Sequence, residues 1–196
     1  MATTFDKILA QGIRKGKIPA RNKSAREWYR NLASDTQVSP SKLTKSNKKR
    51  FQKQMRIGEM YMYYYNPKHK RTLPYYDRFP LVFPFNKAKG GFLGINLHYL
   101  PLTLRAKLMD ALYTTTNNKK YDETTRLKIN YDILNSSAKM KYFKPCVKHY
   151  LTEQLDSRLW YVYPSEWDIA LWLPLERFKK AKKTEVWQDS RQIIKG

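Results

Sequence analysis

What this chain has little of narrows it first. Among its 196 residues there is one cysteine, Cys146, which excludes an intrachain disulfide and a four-cysteine metal site and makes a reducing compartment the natural home. Histidine occurs three times. Cys146 and His149 have the spacing of half a zinc site, but a closed site needs four ligands and His69 and His98 are all that remain to complete it. A buried structural cysteine is therefore expected, and neither a metal nor a cofactor is. No apolar run approaches the ~18 residues of a membrane span, and the first residues, Met-Ala-Thr-Thr-Phe-Asp-Lys, lack the apolar core of a signal peptide. The expectation is a soluble protein, or a piece of a soluble particle, with no membrane partner.

Catalytic signatures are missing too. The chain has no Gly-x-Gly-x-x-Gly, no Walker lysine loop, no Gly-x-Ser-x-Gly and no His-Glu-x-x-His. None of its 16 acids is followed two positions on by a lysine, the arrangement in which a common nuclease core holds its metal and steadies the attacking water. Glu166 and Asp168 stand two apart on an expected helix and so diverge, against paired-carboxylate chemistry. His98, beside Tyr99 at a strand end, has the chemistry of a general base, but a satisfied core or rim histidine is the plainer reading. No enzyme is expected; a nuclease with an unfamiliar site is the exception to test.

Acid is the scarce ionic class, and what stands against it is large: 39 Lys and Arg, for a formal charge of +23. Self-repulsion of that size costs stability, and a folded chain usually tolerates it when its partner is a polyanion. Aromatic residues make up 14% of the chain, which argues against a disordered tail. About half of the net charge lies in residues 1–56, which hold 15 basic residues and three acids. The candidate phosphate contacts are Arg14, Lys15, Lys17, Arg21, Lys45, Lys48, Lys49, Arg50 and Lys53, with the turn Lys68, Lys70 and Arg71 and the cluster Lys179, Lys180, Lys182 and Lys183 as a second rim. The bland alternative is that Lys45 to Lys53 is a solvated helix face. Tyr61, Tyr63, Tyr65, Tyr75 and Tyr76 carry rings able to stack bases, though core packing is the better expectation.

The stretch from Gly58 to Pro101 has the composition of a compact β unit. Met60 to Tyr65 alternates as a strand with both faces covered. Phe79 to Phe85 contains Pro80 and Pro84, which predict an edge strand or one limited to Leu81, Val82 and Phe83. Lys89-Gly90-Gly91 turns the chain into a strand with Leu93, Ile95 and Leu97 on one face, and Gly94 on the other marks close approach of another backbone. Helices are expected from Thr3 or Thr4 to Gly12, from Ser24 to about Ala33, from Ser39 to about Met55, from Pro101 to about Thr114, and after a cap at Asp122. Lys139 to Phe143 reads as a short strand, Pro145 to Leu155 as a helix, Leu159 to Tyr163 as a returning strand, and Pro164 to Leu173 and Thr184 to Ile194 as helices. The fold class is α+β, a small curved antiparallel sheet or SH3-like barrel flanked by helices. Residues 1–56 form a basic helical N-terminal arm, and 57–196 a single core domain with a basic C-terminal helix.

Three motifs carry a resemblance: Gly58-x-Met-Tyr-x-x-x-Tyr-x-Pro-Lys-x-Lys-x-x-Leu-Pro-Tyr-Tyr-Asp-x-Phe-Pro-Leu-Val, then Gly91-Phe-Leu-Gly-Ile-Asn-Leu-His-Tyr-Leu-Pro, and Tyr163-Pro-x-Glu-Trp-x-x-Ala. They resemble a virion protein of T-even-type contractile-tailed bacteriophages, of the DNA end protector class. The resemblance spans about 56–100 and 165–191 and leaves the N-terminal arm unmatched. It implies a protein at the head-to-tail connection, beside other virion proteins of the neck or tail; an oligomer in the particle is an open option, since the sequence does not give stoichiometry. It further implies binding to the duplex end of the packaged genome, which is shielded from host exonuclease on injection. The protein would then be found in the virion, and in the host cytoplasm during assembly and after injection. The alternative from another class is a neck, tail or baseplate component whose basic surface meets acidic protein subunits.

Overall fold

The computed structural model describes residues 2–17, 23–116 and 120–196. The helices are α1 (Thr4–Arg14), α2 (Lys23–Asp35), α3 (Pro40–Ser46), α4 (Leu102–Thr116), α5 (Glu123–Lys139), α6 (Trp167–Trp172) and α7 (Lys183–Lys195). The strands are β1 (Phe51–Gln52), β2 (Met60–Met62), β3 (Tyr76–Asp77), β4 (Leu81–Ala88), β5 (Gly91–Asn96), β6 (Val147–Leu151), β7 (Leu159–Val162) and β8 (Phe178–Lys179). Six of them form one antiparallel sheet in the order β1-β7-β2-β4-β5-β6, while β3 and β8 pair separately. The sheet is open, with β1 and β6 at its edges. Of the two expected forms, the flanked antiparallel sheet stands and the SH3-like barrel does not.

Period-2 alternation fills both faces. Met60 and Met62 enter the main core with Phe83, Ile95, Trp160 and Val162. Tyr61 packs on the other face with Tyr63, Tyr65, Phe92 and Tyr150. The expectation for β4 is corrected: it is neither an edge strand nor cut short, but runs eight residues between β2 and β5. A register shift between Pro84 and Asn86 admits the proline, because a bulge asks no ladder N–H of it. The Pro84 carbonyl still accepts, from the Gly58 N–H at 2.9 Å. On β5, a Cβ on Gly91 would lie 1.8 Å from the Tyr150 carbonyl oxygen, so glycine is what lets β6 pair there.

The N-terminal segment is helical but does not project from the body. Thr3 caps α1 in a box with Asp6, its hydroxyl accepting from the Asp6 N–H at 3.0 Å. Phe5 and Ile8 of α1, Tyr29 and Ala33 of α2, and Leu43 of α3 all lie in the main core, with Phe5 stacked on Trp160 at 5.8 Å. The helix expected from Ser39 to Met55 starts as read, with Ser39 capping Lys42, and then ends at Ser46. A stretch polar all round has no apolar stripe to keep a long helix docked. Asn47 leaves helical geometry at φ −148°, its carbonyl accepts from the Trp160 indole at 3.3 Å, and a 3₁₀ turn, Lys48–Arg50, leads into β1.

A second correction lies at 139–155. The short strand and following helix exchange places: Lys141–Cys146 is a 3₁₀ segment, and Val147–Leu151 is strand β6. Pro145 does not open a helix there because the residues after it complete the sheet against β5, Leu93 facing His149. No described helix is long and apolar enough to cross a membrane.

Candidate nucleic-acid interface

Which cations are free is decided by how the few acids are used. Arginines take them, inside the fold. Arg26 and Arg30 of α2 both reach Asp168 at 3.0 Å and also meet Asp110. Burial pulls the Arg26 guanidinium down, but hydrogen bonds and charge from Asp168 and Asp110 outweigh it and leave Arg26 above its ordinary value. Arg105 is fully buried, donating to the carbonyls of Leu100 at 2.7 Å and Leu171 at 2.8 Å and to Glu176 at 2.7 Å. Burial lowers its pKa. For Glu176 burial pushes the carboxyl up, yet the Arg105 charge prevails and holds it at about 2. Arg78 pairs with Asp156.

Arg50 is the correction among the candidate phosphate contacts. It is 4% exposed, and its guanidinium meets Glu166 through two hydrogen bonds, so it is not available to a backbone phosphate. Glu166 and Asp168 thus diverge, one to Arg50 and the other to α2.

The exposed lysines form groups. Thr44, Lys45, Lys48, Phe51, Ser157 and Arg158 line one shallow groove; Gln52, Lys53, Asp156, Ser157 and Arg158 line another. The two share Ser157 and Arg158, so they run together along the β1 edge, with Lys45 and Lys48 at one end and Lys53 at the other. Lys49 is exposed on the turn beside them. Arg158 is not among the residues that the sequence points to. Its signal is the register: Gln52 pairs with Leu159, which sets the preceding Arg158 beside Lys53.

Two candidate clusters remote in sequence meet in a second patch. Tyr76 pairs with Lys179, and the Lys180 ammonium donates to the carbonyls of Arg71 and Leu73, both at 2.8 Å. Lys68, Lys70 and Arg71 therefore share a rim with Lys179, Lys182 and Lys183, all exposed, while Lys180 ties the rim together. Arg14, Lys15 and Lys17 lie at the end of α1, where the Lys15 ammonium sits 6.0 Å over Trp28 and Lys17 donates to Ser24 at 3.4 Å. Arg21 lies outside the described residues.

The aromatic and nucleophilic candidates turn inward. Tyr61, Tyr63 and Tyr65 are buried, and burial pushes each phenol up; Tyr75 and Tyr76 are half-buried. His98 is fully buried with Nδ1 2.7 Å from Asp77 Oδ2, so it is a core histidine. Cys146 is buried, its thiol donates to the Phe143 carbonyl at 2.9 Å, and burial pushes it up to about 12. A cleft of about 570 Å³ between α4, α5 and the 3₁₀ segment is lined mainly by Leu104, Leu108, Ile133, Met140 and Tyr142. Such a lining does not suit a phosphate backbone.

A family model described as Phage T4 terminal DNA protecting protein matches residues 1–191. The chain belongs to that family. No curated protein and no solved structure matches it. The family match extends through α1, α2 and α3, well beyond the 56–100 and 165–191 in which the resemblance is legible, and agrees with the packing of Phe5, Tyr29 and Leu43 into the core. Within this terminal DNA protecting fold, Tyr163 at the end of β7 is 45% exposed, and its ring lies over Arg50 of the turn that carries Lys48 and Lys49. In the sequence it reads as the last residue of a strand, with nothing to mark it for a role.

Proposed function

We propose that this member of the terminal DNA protecting family binds the end of linear duplex DNA without catalysis, holding backbone phosphates through exposed cations. The carrying observation is the groove along the β1 edge, where Lys45, Lys48, Lys53 and Arg158 converge while the arginines around them are paired internally. The rim of Lys68, Lys70, Arg71, Lys179, Lys182 and Lys183 and the α1 end with Arg14, Lys15 and Lys17 extend the contact. Sequence independence follows, since phosphates carry charge and position but no base identity. The place of action is the head-to-tail connection of the particle, at the genome end and beside other neck or tail proteins, with the protein entering the host along with the DNA.

The test is duplex binding by fluorescence anisotropy across a salt series. Neutralising about six to ten phosphates gives a log-log slope of about −0.9 per phosphate. A salt-independent affinity, or none, overturns the reading. Locating the chain in an intact particle relative to the genome terminus checks the place.

A second reading, a neck, tail or baseplate component whose lysines meet acidic subunits, is favoured by the apolar cleft between α4 and α5, with Met140 and Tyr142 both more than half exposed. Weak duplex affinity together with stable assembly on an acidic virion subunit would select it.

A further inference from the structure

Phosphate contacts do not separate the end of a duplex from its interior, because every backbone phosphate presents the same charge. What an end has, and the interior lacks, is one base-pair face with nothing stacked on it. An exposed aromatic ring held rigidly beside a phosphate-gripping surface is complementary to that face.

Tyr163 is such a ring. The Arg50 guanidinium lies 4.3 Å from its centroid on one side, and Tyr161 meets it edge-on at 5.1 Å and 87°. With Arg50 and Tyr161 as its ring neighbours, the residue is still 45% exposed, so part of it is open to water. Its backbone is pinned as well. The Tyr163 N–H donates to Glu166 Oε2 at 3.1 Å, the same carboxylate that holds Arg50, and Pro164 restricts the residue before it to extended geometry. A platform ordered in advance loses little freedom when a base pair lands on it. Lys48 and Lys49 come just before Arg50 on the same 3₁₀ turn, which packs against β7, so the residue that meets the ring carries two exposed lysines beside it in the chain.

We propose that Tyr163 is the stacking platform for the terminal base pair of duplex DNA, with Lys48 and Lys49 on the phosphates next to it and Arg50 as the positioning residue beneath the ring. This rests on the duplex-end reading above, and it names how an end is told from an interior.

The experiment compares two probes on the full chain: a blunt-ended duplex of about 20 base pairs, a little longer than the largest single-fold binding footprints, and a dumbbell of the same stem whose ends are closed by loops. 2-Aminopurine in the terminal pair of the blunt probe reports stacking by its fluorescence. Wild type is expected to favour the blunt duplex by about 5- to 150-fold, the range that one base–aromatic stack commands. Tyr163→Phe should keep that preference, and Tyr163→Ala and Tyr163→Leu should reduce blunt-end affinity to the dumbbell level and abolish the 2-aminopurine quench. If wild type favours the blunt probe and both Tyr163→Ala and Tyr163→Leu still do, the platform is wrong and the phosphate reading stands. A wild type that binds both probes equally overturns the platform alone, whereas one that binds neither overturns the duplex reading and the platform with it. Failure of both variants to bind the dumbbell would make the ring structural, and would also overturn the platform.

Discussion

Arg50 and Glu166 stand 116 positions apart in the chain and meet as a buried two-point ion pair, Nη2 to Oε1 at 2.7 Å and Nη1 to Oε2 at 2.5 Å. The pair ties the turn after α3 to the entry of α6, and Arg50 also lies over the rings of Trp160 and Tyr163. A residue that composition counts as a DNA contact is a structural strut.

Removing one partner of this pair leaves a buried charge uncompensated, at a cost of about 3–5 kcal/mol. Glu166→Ala should therefore lower the melting temperature by roughly 6–20 °C at this chain length. Calorimetric melting of the two proteins decides it; a midpoint within about 2 °C of wild type would show that the site relaxes around the lone guanidinium.

The exposed cations behave oppositely. Combining Lys45→Gln, Lys48→Gln, Lys53→Gln and Arg158→Gln should leave melting nearly unchanged while making the salt slope of duplex binding shallower by about 0.9 for each phosphate no longer neutralised. Lys87→Gln with Lys89→Gln, exposed on the β4–β5 hairpin and not among the residues lining that groove, is the control and should keep the wild-type slope. Equal effects from both sets would mean that the charge acts as a diffuse cloud, not through the groove.

Acid should weaken the fold through Glu176. Its folded carboxyl is held at about 2, below the ordinary ~4.3 of an unfolded glutamate. The sign is that of a depressed acid: the contribution is complete above about pH 5 and is lost as pH falls through about 2, amounting to roughly 3 kcal/mol. Denaturant midpoints between about pH 5 and about pH 2.5 should fall in that window, and Glu176→Gln should flatten this part of the curve. An unchanged profile in the variant would assign the acid sensitivity to other carboxylates.

Gly91→Ala places a methyl group against the Tyr150 carbonyl at the β5–β6 pairing, where backbone and not a flexible side chain is in the way. Local unpairing of β6 should follow, seen as faster amide hydrogen exchange over 147–151 than over 60–62. Unaltered exchange would mean that the strands can separate slightly at no cost.

Much of the fold is legible in the sequence because its signals are short. Caps at Thr3, Ser39 and Asp122, the alternation of Met60 to Met62, the Gly90 turn and the apolar run before Pro164 each declare themselves within a few residues. Where that legibility fails, partners are distant. Pro84 has the look of an edge marker until the bulge beside Gly94 gives it a place inside the sheet. The residues after Pro145 carry too weak a pattern to choose strand over helix until β5 offers its open side. Tyr61, Tyr63 and Tyr65 are available for stacking by composition and are closed off by packing on the far face of the sheet.

By itself, the sequence settled the sum of charges, the scarcity of acid, the caps and alternations, and membership of a phage DNA-protecting family, since each of these is a local pattern or a count. The division of labour among the cations was decided by tertiary structure alone. Arg26, Arg30 and Arg50 find their carboxylates on Asp110, Asp168 and Glu166 across 80 to 142 positions of chain. An ion pair depends on distance in space, which composition does not contain. That is why Arg50 became core, Arg158 joined the groove, and Tyr163 was left facing water.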